Sequence, residues 1–266
     1  MRLRVGCEFN FESSGPTPSV WQVRGRPDGD QRILSEEWDV SPGGASSSYM
    51  DGYGNVCDRL VLPVGPNTVR YDATVEVKDT VDEVEPQAQQ VPVEALPDDT
   101  LVFLLPSRFC FSDVLHDKAW ELFGDTQPGW ARVQAVCDWV HDRIRYTSGS
   151  TNPMTTAAEV VESGTGVCRD YAHVGVTFCR SLNVPARYVS GYLPNIDAPV
   201  PEDPMDFSSW FEAYLGDRWS AFDPRNNVPR VGRVVIGRGR DAADVAMVTT
   251  YGAPVLQEMR VWAEEA

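Results

Sequence analysis

Histidine is scarce in this sequence: only His116, His141 and His173 occur among 266 residues. The six cysteines (Cys7, Cys57, Cys110, Cys137, Cys168 and Cys179) are dispersed, with no C-x-x-C pair. No Cys/His spacing fits a zinc site, and no loop of clustered acids has calcium-ligand spacing. No metal or other cofactor is therefore expected. No apolar run approaches the ~20 residues that span a bilayer. Met1-Arg2-Leu3-Arg4-Val5 alternates charged and apolar residues where a signal peptide would carry an apolar stretch. These absences lead to the expectation of a soluble, cytoplasmic protein with free thiols and no membrane partner. Positive charge is also short, 23 Lys+Arg against 39 Asp+Glu, for a formal net charge of -16. Such a surface repels phosphate backbones and argues against a nucleic-acid partner.

What is present is a hydrophobic fraction of 42% in a chain long enough for two domains. Residues 1–80 read as a β-rich domain. Arg2 to Phe11 alternates in character, and Leu60 to Pro63 and Val69 to Val77 are β-branched runs. Turn signals at Ser41-Pro42-Gly43-Gly44 and Asp51-Gly52-Tyr53-Gly54-Asn55 separate them. Short strands and frequent turns suggest a small antiparallel sandwich. Residues 81–99, rich in acid, Gln and Pro, read as a linker.

Residues 100–266 change character. Helical periodicity runs over Ser112 to Phe123 and Gly129 to Arg145, the second placing Val133, Val136, Cys137, Val140 and Ile144 on one face. A further helix is expected from about Val167 to Leu182, closed by Asn183 and Pro185. Strands are expected at Ala186 to Tyr192, Trp210 to Leu215 and Arg218 to Phe222, the last two joined at Gly216-Asp217. Val231 to Ile236 and Met259 to Trp262 are candidates for edge strands in a C-terminal extension. Helices followed by consecutive antiparallel strands indicate an α+β class.

The stretch with chemical content is Ser163-Gly164-Thr165-Gly166-Val167-Cys168-Arg169-Asp170-Tyr171-Ala172-His173. A cysteine in the first turn of a helix faces unpaired N–H groups and the positive end of the helix dipole, which favour a thiolate. The same N–H groups can face an oxyanion on an attacked carbonyl. Read alone, Cys168 is either a small core residue or a nucleophile, and the glycine-preceded helix start favours the nucleophile. Cys179 is expected in the core. His173, more than a turn farther along, reads as a structural histidine.

Gly166-Val167-Cys168-Arg169-Asp170-Tyr171-Ala172-His173, Val184-Pro185-Ala186-Arg187-Tyr188-Val189-Ser190-Gly191-Tyr192 and the upstream Cys137-Asp138-Trp139-Val140-His141 resemble the bacterial transglutaminase-like superfamily. So do Met205-Asp206-Phe207, Trp210-Phe211-Glu212-Ala213-Tyr214-Leu215, Arg218-Trp219 to Phe222-Asp223, and the tail Gly239 to Ala246. The resemblance implies a papain-like core and a Cys–His–Asp triad, with Cys168 as nucleophile and Asp223 as the acid that orients the imidazole. Where the family reads His-Ala-Trp, this sequence reads Ser208-Ser209-Trp210, so Ser208 falls at the histidine position. The activity implied is acyl transfer, or amide or thioester cleavage through an acyl-enzyme. Its substrates would be a peptide, an amine or an acyl thioester, including one borne on a carrier protein. The alternative is a catalytically impaired binding module. Of the aromatics near the expected cleft (Tyr171, Tyr188, Tyr192, Trp210 and Trp219) most belong to the core by strand spacing. Trp210 and Tyr192, with Gly166, are the candidates for substrate contact.

Overall fold

A computed structural model describes residues 1–27, 29–196 and 204–266. The amino-terminal region supplies β1 (Arg2–Ser13), β2 (Thr17–Trp21), β3 (Gln31–Ser41), β4 (Ser46–Met50), β5 (Val56–Leu62) and β6 (Gly65–Val77). Strict alternation along β6 turns Val69, Tyr71, Ala73 and Val75 inward and their neighbours outward, the pattern of a sheet with one buried face. Asp51 shapes the turn between β4 and β5 by accepting from the N–H groups of Tyr53 and Asn55, each at 2.8 Å.

Two late strands, β13 (Val248–Thr250) and β14 (Val255–Glu265), return to this region. They complete two antiparallel sheets ordered β14-β1-β6-β3 and β13-β2-β5-β4. The edge strand expected at Met259 to Trp262 thus lies beside β1, with Phe9 opposite Met259 and Gly6 opposite Trp262. Gly6 is required there, because a Cβ would overlap the Trp262 ring.

The second layer contains α1 (His116–Phe123), α2 (Trp130–Arg143), β7 (Arg145–Tyr146), α3 (Ala157–Ser163), β8 (Thr165–Gly166) and α4 (Cys168–Ser181). It continues with β9 (Ala186–Tyr192), β10 (Ser208–Leu215), β11 (Arg218–Phe222) and β12 (Val234–Gly239). The strands β9 to β12 form an antiparallel sheet ordered β11-β10-β9-β12. The α+β class expected from the sequence is the one observed. Every apolar residue named on the α2 face is buried. Helix α4 is buried from Asp170 to its end, as a helix between other helices and a sheet must be.

The differences from the sequence reading are local. Helix α2 stops at Arg143 because Arg145 and Tyr146 pair in parallel with Thr165 and Gly166. Strand β12 begins at Val234 rather than Val231, since Gly232 takes φ +83 and the Arg230 N–H donates to Asp82 at 2.9 Å. The segment 81–99 is a strap tied to the core: Trp130 N–H donates to Ala88 O (2.9 Å) and Gly216 N–H to Gln89 O (2.8 Å). The far side of the second sheet joins the sandwich core, where Tyr192, Phe207, Val234 and Ile236 share one apolar cluster with Val5, Phe9 and Trp21. Among the described residues no helix is long and apolar enough to cross a membrane.

Candidate active site

Cys168 is the first residue of α4. The start of the helix is fixed by Asp170, whose carboxylate accepts from Val167 N–H (2.9 Å) and from the Thr151 hydroxyl (2.6 Å). Gly166 makes this possible, because a Cβ there would crowd the Asp170 side chain. It lets that side chain close over the helix start.

The sulfur of Cys168 lies against β10, 3.7 Å from Phe207 O and 3.9 Å from the Ser209 hydroxyl. That hydroxyl is 2.6 Å from the phenol of Tyr188. A short chain of polar groups, Tyr188–Ser209–Cys168, therefore ends at the thiol. Strand alternation explains why Ser209 and not Ser208 meets the sulfur. Ser209 and Phe211 share the face against α4, where the Phe211 ring occupies the space left by Gly175. Ser208 and Trp210 fall on the other face. Position 208 is nonetheless bracketed by the two atoms the sulfur touches.

Asp223 follows β11 and is buried. Its carboxylate accepts from Asn226 N–H (3.1 Å), Asn226 Nδ2 (2.8 Å) and Arg233 Nη2 (3.1 Å). The Arg233 guanidinium also sits over the Trp210 ring, 4.6 Å from its centroid. Asp223 and Trp210, and with them Ser208, therefore share a face of the sheet. No hydrogen bond joins Ser208 to Cys168 or to Asp223 among the described residues.

The electrostatics correct one expectation. The Cys168 thiol is raised above its ordinary value, not lowered. Burial is the main cause; Asp206 adds to it, while Arg225, the Ser209 hydroxyl and the Arg169 N–H oppose it. The favourable helix terminus is outweighed by loss of water around the sulfur. Arg225 packs over the Tyr146 ring at 4.2 Å.

None of the histidines serves the thiol. His173 is fully buried, stacked on Phe109 (centroids 5.3 Å apart) and against Tyr188 (5.0 Å). Its Nε2 accepts from Ala242 N–H at 3.1 Å, and burial lowers its pKa to about 3. It is the structural residue its sequence position suggested, and it backs the tyrosine that bonds Ser209. His141 faces the carbonyls of Pro224 and Arg225, at 3.1 Å each. Cys179 is buried in the core.

Tyr192, a candidate for substrate contact, is fully buried and donates to Val23 O at 2.7 Å. It is a core residue between the two layers. Trp210 is buried as well, against Arg233, and lines a cavity on the face of β10 away from α4. No group of three metal-ligating side chains converges among the described residues. Sequence reasoning did not single out Ser209 and Tyr188 as thiol neighbours. The signal available was the period of β10: apolar Phe211 and Ala213 mark the helix-facing side, and Ser209 continues it.

Comparison with known proteins bears on the family and the fold. Residues 119–224, which contain Cys168, Ser208 and Asp223, match the model of the transglutaminase-like superfamily. A crystal structure from Cytophaga hutchinsonii, described as a candidate cysteine protease, superposes with a TM-score of 0.90 at 34% identity, over 99% of this chain and 90% of that one. An uncharacterized protein of Mycobacterium leprae is 26% identical over 258 residues, 92% of this chain and 91% of its own. A Mycobacterium tuberculosis protein, also uncharacterized, is 28% identical over 236 residues, 81% of this chain and 75% of its own. With a full-length likeness of this order and a superfamily match spanning the cysteine helix and the three following strands, the chain belongs to the transglutaminase-like superfamily.

Proposed function

We propose that the chain is a cysteine-dependent acyl-transfer protein with an altered triad. Cys168 is the nucleophile, Ser208 stands where the family carries histidine, and Asp223 is the acid left without a ring to orient. The observation that carries this reading is the Cys168 sulfur at the head of α4, set against the Phe207 carbonyl and the Ser209 hydroxyl on either side of position 208, with no imidazole bonded to it.

A triad histidine removes the thiol proton and protonates the leaving group. Serine cannot do the second, and an amide requires it because an amine anion is a very poor leaving group. A thioester does not, since a thiolate leaves unprotonated. The reading therefore assigns acyl thioesters, on a carrier protein or coenzyme A, as donors, and amines, peptides or water as acceptors. The Cys168 proton goes to solvent base, and its sulfur forms a bond to the carbonyl carbon. The carbon–sulfur bond to the donor thiol then breaks, and that thiolate departs. An acceptor nucleophile next attacks the acyl-enzyme, loses its own proton to solvent and releases the Cys168 thiolate. The Arg169 N–H, which faces the sulfur, and the Ser209–Tyr188 pair are the groups that support the anion. The six free thiols support a reducing, cytoplasmic setting.

A second reading, a binding module without chemistry, is favoured by one feature: Asp223 is engaged by Arg233 and Asn226. Incubation with a panel of acyl thioesters at about pH 8.5, near the free-thiol pKa, followed by intact-mass measurement separates the two. A single acyl adduct, absent in Cys168→Ala, is the expected result. An unmodified chain across the panel supports the binding module instead.

A further inference from the structure

Tyr188 belongs to β9 and is 3% exposed. It pairs across the ladder with Phe211 of β10, so Ser209, two positions along, is its diagonal neighbour on the face against α4. The two hydroxyl oxygens are 2.6 Å apart, and Ser209 Oγ is 3.9 Å from the Cys168 sulfur. Either hydroxyl could donate to the other, and their surroundings decide which does.

Among the described residues Tyr188 Oη has no partner other than Ser209 Oγ. The adjacent His173 offers none. Its Nε2 accepts from Ala242 N–H, so the ring proton sits on Nδ1, which is unpaired. Water does not reach a residue this buried. Since buried polar hydrogens are nearly always bonded, Tyr188 donates to Ser209. The Ser209 proton is then left for the sulfur, and the thiol proton for Phe207 O at 3.7 Å. The opposite sense would leave the Tyr188 proton with no acceptor. Loss of the thiol proton disturbs neither hydroxyl bond.

We propose that Tyr188 is a positioning residue for Cys168: by donating to Ser209 it commits the Ser209 proton to the sulfur, in the thiol and the thiolate alike. His173, stacked on Phe109, packs against the Tyr188 ring and sets its place. The hydrogen-bond order stands on the geometry of the thiol, and only its consequence for turnover rests on the acyl-transfer reading. The charged groups that act on the sulfur are Arg225, from the segment after β11, and Asp206, from the segment before β10. On α4, Arg169 and Asp170 pair with one another at 3.1 Å. All four are left in place by the variants that test the chain of hydroxyls.

That test is alkylation of Cys168 in the full chain by iodoacetamide, read by peptide mass spectrometry from about pH 7 to about pH 10.5, either side of the free-thiol value. Ser209→Ala should move the titration upward by about one pH unit, the lower end for a hydrogen bond to an anion, with a rate roughly tenfold lower near pH 8.5. Ser209→Thr keeps the hydroxyl and leaves the titration in place. Tyr188→Phe moves it the same way by less, and adds nothing in the Ser209→Ala background, because the tyrosine acts only through the serine. An unmoved titration in folded Ser209→Ala, an equal shift in Ser209→Thr, or an undiminished Tyr188→Phe shift in the Ser209→Ala background overturns the proposal. Should Ser209→Ala fail to fold by circular dichroism, Tyr188→Phe decides alone, and an unmoved titration there is the contrary result. Shifted titrations in a chain that no thioester acylates would contradict the acyl-transfer reading and support the hydroxyl chain.

Discussion

Ser208→His is expected to raise the rate at which Cys168 is acylated by an activated ester or amide at neutral pH, by roughly 10²–10⁴-fold, the range of general acid–base catalysis. The sulfur lies 3.7 Å from Phe207 O and 3.9 Å from the Ser209 hydroxyl, so the backbone of position 208 is close to it, and a ring there reaches the thiol by turning around the strand from the opposite face. Asp223 shares the sheet face of position 208, as its link through Arg233 to Trp210 shows. It can accept from the far ring nitrogen once the ring is present. Because Arg233 and Asn226 compete for the same carboxylate, the gain belongs at the lower end, about 10²-fold. Turnover of a p-nitrophenyl ester, compared among the native chain, Ser208→His and the double variant with Cys168→Ala, reads this out. If Ser208→His gains nothing while remaining folded, position 208 is not the place of the missing base.

Glu212→Ala should be the most damaging single truncation for stability outside the apolar core. Glu212 is 7% exposed and accepts from Arg187 at 2.6 Å and Arg238 at 2.9 Å. Burial alone would raise its pKa, yet the two guanidinium groups hold it below the usual carboxylate range. Burial also pulls Arg187 down to about 10, against the opposing effect of Glu212. Removing the carboxylate leaves two cations facing each other in a poorly solvated place. Breaking a buried ion pair from one side costs about 3–5 kcal/mol, a large part of the 5–15 kcal/mol that typically holds a domain together. The expected consequence is a loss of on the order of 10 °C in Tm. The exposed pair Arg32–Glu76, with side chains 71% and 40% exposed, is the matched control, and Glu76→Ala should change Tm by no more than about a degree or two. Equal losses from the two variants would mean that Glu212 is solvated in solution and that the cluster is not a buried one.

Much of the fold was legible because its patterns are local. The α2 face, the α4 span and the hairpin at Gly216-Asp217 are written in periodicity and turn chemistry, and the structure has them. Helix α3 escaped notice although Thr156 and Glu159 form a capping box at its start; it is only one to two turns long, too short for a periodic signal. The pairing of β14 with β1 joins the two ends of the chain, and no local pattern encodes a partner some 250 residues away. At the site, the cysteine helix could be read because a glycine-led helix start is also local. The thiol's raised pKa could not, since burial depends on how β10 lies across the helix. Tyr192 and Trp210 show the same limit: strand spacing gives the face of a side chain but not what covers that face.

The central claim, a nucleophilic cysteine in a triad that lacks its base, is tested most directly by the pH dependence of Cys168 alkylation with iodoacetamide, followed by peptide mass spectrometry. The other five cysteines are buried, so the half-buried Cys168 should dominate. Because the thiol is raised by burial, the account predicts a rate that is low at neutral pH and still climbing above the free-thiol value of ~8.5. A rate that has already levelled off near pH 7 would show a thiolate stabilised in the native chain, and would contradict a triad without its base.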